Sequence, residues 1–283
     1  MESTKTAFLP KKRVRKGNAR VLIITTGNHN VTRHNFTRFK DVEKCSHVRG
    51  MSELKKYFQQ FDCLSIDPNN QNNNFTDIFD AQFESVLGLP VIGKLESKMT
   101  STIMSLRCSV SDISLTIHAK KHFTYFYGRS RWDCGLPMTL TYAFSFTNMI
   151  DYISLPKIKT VFKRLFSMWA SIILVNSMEI DDYPMANIRI EDFKVDHDNN
   201  QPFEGVLRNG RFHLYEDETW AIAFEKVKSK VYFEPMATHE IGHMLELTHS
   251  SINEIVMYLN LKPQNKKMNL KLDNVESTQA LYG

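Results

Sequence analysis

The amino-acid sequence predicts an α+β protein: an interleaved region of strands and helices over residues 138–283, with a smaller helical unit ahead of it over residues 40–112. Three observations lead there. Apolar residues at helical spacing mark short helices between residues 52 and 106. From residue 140 the elements run strand, helix, strands, helix, helix, which is an α+β order. The chain has 283 residues, 42% hydrophobic and 24% charged, which suits one large or two small packed domains, and it shows no repeat at solenoid spacing.

Residues 1–39 read as a basic, disordered tail. Lys5, Lys11, Lys12, Arg13, Arg15, Lys16 and Arg20 against Glu2 give the first 20 residues a net charge of +6, and since the whole chain carries +5 the remainder sits near −1. No basic surface needs to be invoked for the folded part, and nucleic-acid binding gets little support. "PKKRVRK" (residues 10–16) has the form of a nuclear localisation signal and equally that of a solvated chain end. "VLIITT" (residues 21–26) is shorter than the ~7–15 apolar residues of a secretory leader core. No stretch approaches the ~20 apolar residues of a membrane span.

Each element then has its own signal. In "SELKKYFQQF" (residues 52–61), Leu54, Tyr57, Phe58 and Phe61 recur at three and four, and Ser52 can cap the helix. "PNNQNNN" (residues 68–74) is a polar loop. "FDAQFESVLGL" (residues 79–89) is a second helix closed by Gly88, and a third runs near residues 97–106. Residues 113–137 read as a linker. "LTYAFSF" (residues 140–146) alternates and is aromatic, hence a strand. "LPKIKTVFKRLFSMWASI" (residues 155–172) is a long amphipathic helix: Pro156 suits its first turn, and Val161, Phe162, Leu165, Phe166 and Trp169 form one face. "NIRIEDF" (residues 187–193) and "RFHLY" (residues 211–215) are strands. A histidine-bearing helix follows, and "DNVESTQALYG" (residues 273–283) closes the chain as a helix capped by Asp273 with Glu276 three residues on.

Cys45, Cys63, Cys108 and Cys134 lack CxxC spacing and are too scattered for a disulfide framework; one pair with two thiols and no pair at all both stay open. Asn30, Asn35 and Asn74 head N-x-Thr sequons, which suit a secreted chain.

The chemistry concentrates in "ATHEIGHMLELTHS" (residues 237–250). His239 and His243 stand four apart, so on a helix they share a face one turn apart and can bind one zinc ion. Glu240, beside the first of them, can act as a general base. A third ligand must complete a site that keeps one position open. His249 supplies it only if the chain turns before it. HExxH arises by chance in roughly one chain in fifty of this composition, and the third histidine in on the order of one in a thousand, so a solvated polar helix is the weaker explanation.

"HEIGHMLELTHS" followed by Met257 in "IVMY" resembles the matrix metalloproteinases, the plant branch in particular. The resemblance continues through "RWDCGLPMTLTYAF" (residues 131–144), "ANIRIEDF" (residues 186–193), "RFHLYEDETWA" (residues 211–221) and the C-terminal "LKPQNKKMNL...QALYG", and covers about residues 40–283. It implies a zinc endopeptidase with a metzincin-like catalytic domain over residues 138–283, built as a mixed twisted sheet with three helices and preceded by a helical propeptide. It makes His239, His243 and His249 the catalytic zinc ligands, Glu240 the general base and Met257 the methionine turn beneath the metal. "SLRCSVSD" (residues 105–112) sits where the family has a cysteine switch, which implies Cys108 as an inhibitory zinc ligand flanked by an Arg107–Asp112 salt bridge. A thiolate is a good zinc ligand and would fill the open position. The family also implies a peptide or protein substrate and an extracellular setting. The tail leaves nuclear and cytoplasmic settings open, and nothing fixes an oligomeric state.

The sequence departs from the family pattern at several places. Ser109 and Ser111 replace a glycine and a proline in the switch. His197 and His213 match ligands of a second, structural zinc, but Asn199 replaces an aspartate and a further histidine is missing, a poor tetrahedral set. Glu204, Gly205 and Glu218 match a calcium site in which Tyr215 replaces an acidic ligand; hard cations need several oxygens. Leu259 replaces a proline in the wall of the side-chain pocket. Glu246 replaces a glycine at the turn that must return His249 to the metal. It must accept a left-handed backbone at roughly 1–2 kcal/mol or let the turn relax, and its carboxylate is a possible further metal ligand. Two functions follow: a latent zinc endopeptidase, or a degenerate relative that binds zinc or a protein partner. Hydrolysis of a fluorogenic peptide, with zinc measured alongside, separates them.

Overall fold

The computed structural model describes residues 54, 97–103, 116–118, 124–126, 132, 138–173, 175–193, 210–215, 220–222, 231–250, 252, 254–258 and 270. Of the expected N-terminal helices, the third appears as α1 (Ser97–Ile103), and Leu54 of the first is helical and buried. The second, and the closing helix expected over 273–283, lie outside the described residues. Within the stretch read as a linker, β1 (Thr116–His118) and β2 (Thr124–Phe126) form an antiparallel pair.

The expected strand at 140–146 is β3 (Met138–Phe144), and the long amphipathic helix is α2 (Leu155–Ala170). Next come β4 (Val175–Glu179), a 3-10 turn (Tyr183–Met185), β5 (Ile188–Phe193) and β6 (Arg211–Tyr215). The four strands form one parallel sheet in the order β4-β3-β5-β6. Parallel neighbours cannot be joined by a tight turn, and α2 provides the crossover from β3 to β4. Gly210 makes the turn into β6 with φ +64; a Cβ there would strike the Asn187 carbonyl, and the Gly210 carbonyl accepts from Arg189 N at 2.6 Å. Only glycine suits both demands. Two-residue strands β7 (Trp220–Ala221) and β8 (Val231–Tyr232) pair in parallel and lead into α3 (Phe233–Met244).

The core lies between the sheet, α2 and α3. Along β3, Met138, Leu140, Tyr142 and Phe144 are buried, and α2 buries the five residues expected on its face together with Ile158. Each such side chain contributes about 1.5–3 kcal/mol of burial. Phe162 is the joint: its ring meets Phe144 of β3 at 5.5 Å, Phe212 of β6 at 4.9 Å and Phe233 of α3 at 5.6 Å, each edge-on. Tyr142 stacks on Phe166 at 4.4 Å. Arg164 of α2 also pairs with Glu234 in the first turn of α3, where a carboxylate suits the helix dipole.

Candidate metal centre

Helix α3 is buried along almost its whole length, with His239, Glu240 and His243 each at most 1% exposed. A buried polar group needs partners. His239 directs Nδ1 at the Val256 carbonyl and His243 directs Nδ1 at the Leu247 carbonyl, both at 2.7 Å. A carbonyl only accepts, so Nδ1 of each neutral ring carries the proton and Nε2 holds a lone pair. These two Nε2 atoms face each other at 3.0 Å. Two lone pairs so close call for a cation between them, and tetrahedral zinc with bonds of about 2.0–2.1 Å would set them about 3.4 Å apart.

His249 completes the group. Its ring centroid lies 5.4 Å from that of His239 and 4.8 Å from that of His243. One ligand nitrogen from each of the three imidazoles falls within 4.8 Å of the others, so the three can hold a metal ion. This is the sole such group among the described residues, and the Glu246 carboxylate is not part of it.

The turn that returns His249 is explicit. Glu246 adopts φ 68, the strained alternative of the two expected at that position. Its N–H donates to the His243 carbonyl at 2.8 Å and the Leu247 N–H reaches back to the Gly242 carbonyl at 3.1 Å, the paired bonds of a Schellman motif. A glutamate thus does what glycine does at lower strain, and the helix stops in time.

The segment after His249 holds one of the rings and braces the chain beside another. The Val256 carbonyl orients His239, and Ser250 N donates to the Met257 carbonyl at 2.8 Å, next to His249. Met257 is buried, and its sulfur lies where a Cβ on Gly242 would sit. The expected methionine turn therefore packs on the helix backbone between His239 and His243. Sequence reasoning missed Gly242, although it stood inside the quoted motif. It placed Trp169 on the core face of its helix but missed that the indoles of Trp169 and Trp132 donate to the Thr238 carbonyl at 3.1 Å and the Met244 carbonyl at 2.6 Å; no local pattern signals such long-range bonds.

Cys108, Arg107, Asp112, His197, Asn199, Glu204, Gly205, Glu218 and Leu259 lie outside the described residues. His213 is in β6, its backbone paired with Glu191, while the side chains of His213 and Tyr215 lie outside what is described. On the same two strands Glu191 accepts from the Tyr183 hydroxyl at 2.6 Å and lies 3.5 Å from Arg211. Burial, reinforced by that hydrogen bond, pushes the Tyr183 hydroxyl well above its usual range.

A family model described as Matrixin matches residues 131–283, more than half of the chain. The chain is a matrixin. Its relatives include Metalloendoproteinase 1-MMP of Arabidopsis thaliana, 42% identical over 90% of this chain and 74% of that protein. Metalloendoproteinase 4-MMP of the same plant is 40% identical over 82% of this chain and 72% of that protein. Matrilysin of Homo sapiens is 27% identical over 83% of this chain and 88% of its own length. This matrixin is therefore of the plant type, with the α+β catalytic fold described above. Its family works with a catalytic zinc as a metalloendopeptidase, a hydrolase of peptide bonds. No helix among the described residues is long and apolar enough to cross a membrane.

Proposed function

We propose that this matrixin is a zinc endopeptidase made as a latent proenzyme, and that it hydrolyses peptide bonds of extracellular proteins. The convergence of His239, His243 and His249, with two ring tautomers set by backbone carbonyls, is the observation that carries the reading. Those three residues hold the zinc. Bound there, zinc supplies Lewis acidity that polarises the scissile carbonyl and acidifies water. Glu240, next to His239 on α3 and 1% exposed, takes the proton from the attacking water and returns it to the leaving amine. Its burial keeps that proton from bulk solvent. The substrate lies along an edge of the sheet.

Residues 40–112 are the propeptide, with Cys108 as the inhibitory thiolate and the Arg107–Asp112 pair shaping its loop; residues 113–137 are the linker and 138–283 the catalytic domain. The extracellular setting is supported by the family and by the sequons at Asn30, Asn35 and Asn74. One zinc suffices in this proposal: Asn199 and Tyr215 argue against tight structural zinc and calcium sites. The rival reading, a degenerate binding module, rests on the degraded structural zinc and calcium sites, while Glu246 alters the catalytic motif itself. The left-handed turn there keeps His249 within the metal group, which favours catalysis.

Glu240→Ala tests the mechanism. Zinc content should stay at the wild-type level while hydrolysis of a fluorogenic peptide falls by about a hundredfold or more. Undiminished hydrolysis would overturn the assignment of Glu240.

A further inference from the structure

We infer that Trp132 is a positioning residue for the metal centre: its indole N–H takes the Met244 carbonyl and so ends the ligand-bearing helix where His249 can turn back. The inference rests on the reading of the three histidines as metal ligands.

The last carbonyls of a helix lack intrahelical donors. Around the end of α3 every acceptor is filled. The Ile241 carbonyl takes Leu245 N at 2.9 Å, the Gly242 carbonyl takes Leu245 N and Leu247 N at 3.1 Å, and the His243 carbonyl takes Glu246 N at 2.8 Å. The Met244 carbonyl takes the Trp132 indole at 2.6 Å, across 112 residues of sequence. In a continuing helix that carbonyl would instead take the N–H four residues on, from Thr248. His249 would then stand about 9 Å farther along the axis than His243 and on another face. The indole holds the acceptor that helix propagation needs.

The device matters more in this chain than glycine at position 246 would require. Glycine enters the left-handed region readily, whereas glutamate favours the right-handed helix. Glu246 therefore pulls toward propagation and Trp132 opposes it. Trp132 is 3% exposed and also packs where a Cβ on Gly210 would point, which anchors it to the turn into β6. Trp169 holds the other side of the ligand segment through the Thr238 carbonyl, one residue before His239. Two indoles thus bracket residues 239–243, but only Trp132 sits where the helix must stop.

The test uses the full chain and zinc ion, with affinity read by competition against a chromophoric chelator and melting followed with and without zinc. Trp132→Phe should weaken zinc binding about tenfold, because a buried carbonyl loses its donor and the apo chain gains states with a longer helix. Incorporating 3-benzothienylalanine at position 132 replaces the N–H by sulfur at nearly constant shape, and should give the same loss if Trp132→Phe folds poorly. In a Glu246→Gly background the loss should shrink to about threefold or less, since the competing helix is then weaker. Ile190→Val, a core change remote from α3 in sequence, should lower the melting temperature and leave zinc affinity alone. If the position-132 variants lower melting while zinc affinity stays within about twofold, Trp132 is an ordinary core residue and the inference fails. Equal losses in both backgrounds also overturn the opposition to Glu246. Failure of the wild type to take up zinc would overturn the metal-site reading itself; zinc bound without hydrolysis would sink the peptidase reading alone.

Discussion

Glu246 places a side chain with a Cβ in a backbone region that suits glycine, and the chain accepts that strain to keep a ligand. The cost of a left-handed residue is about 1–2 kcal/mol, set against a metal centre that fails if His249 moves. Glu246→Gly should therefore raise stability by about 1–2 kcal/mol, with a melting temperature higher by about 2–8 °C. Zinc should bind more tightly as well, since the turn no longer resists the geometry that the metal needs. Calorimetry and chelator competition measure the two effects; if neither quantity changes, the strain is relieved elsewhere and the account of this turn is wrong. His239, Glu240 and His243 were legible because metal ligation on a helix imposes fixed spacings, whereas His249 needed a turn after the helix and Met257 came only with the resemblance to the matrix metalloproteinases. Gly242 was not: its reason is the Met257 sulfur packed against it, and that neighbour is supplied by the tertiary fold.

At the scale of elements, α2 was readable because its core face repeats at three and four residues, with Val161, Phe162, Leu165, Phe166 and Trp169 all buried. Strand β4 was not. It buries Val175 alone and exposes Asn176 and Met178, so it carries neither an apolar run nor a clean alternation. Its place is set by pairing with β3 and by α2 above it. That packing leaves a titration signature. Tyr142 of β3, stacked on Phe166, has its hydroxyl pushed up to about 12, by burial first and then by the carboxylate of Glu179. An unfolded tyrosine ionises near pH 10 (about 10 in model peptides). The folded state therefore keeps this proton longer: the contribution, about 2–3 kcal/mol, is whole below about pH 10 and is lost as pH rises toward 12. Tyr142→Phe should shift the midpoint of alkaline unfolding upward and leave the acid limb alone. An unmoved alkaline midpoint would show that some other group sets it.

For the whole molecule the proposal of latency joins the two ends of the sequence reading: Cys108 ahead of the catalytic domain and the three histidines within it. Cys108→Ser should raise hydrolysis by the uncleaved chain about tenfold or more, because a serine hydroxyl is a far weaker zinc ligand than a thiolate. A wild-type chain already as active as the variant would remove Cys108 from that role. The bond between Trp132 and Met244 has a consequence for how such a molecule is made. A ribosome delivers Trp132 long before it delivers α3, since 112 residues separate donor from acceptor. His249 and the Val256 carbonyl that orients His239 come later still. Contacts this distant along the chain form slowly and late. The nascent polypeptide therefore emerges with its metal ligands unassembled. Zinc is captured after synthesis, and under the proposal of latency residues 40–112 have by then already been made.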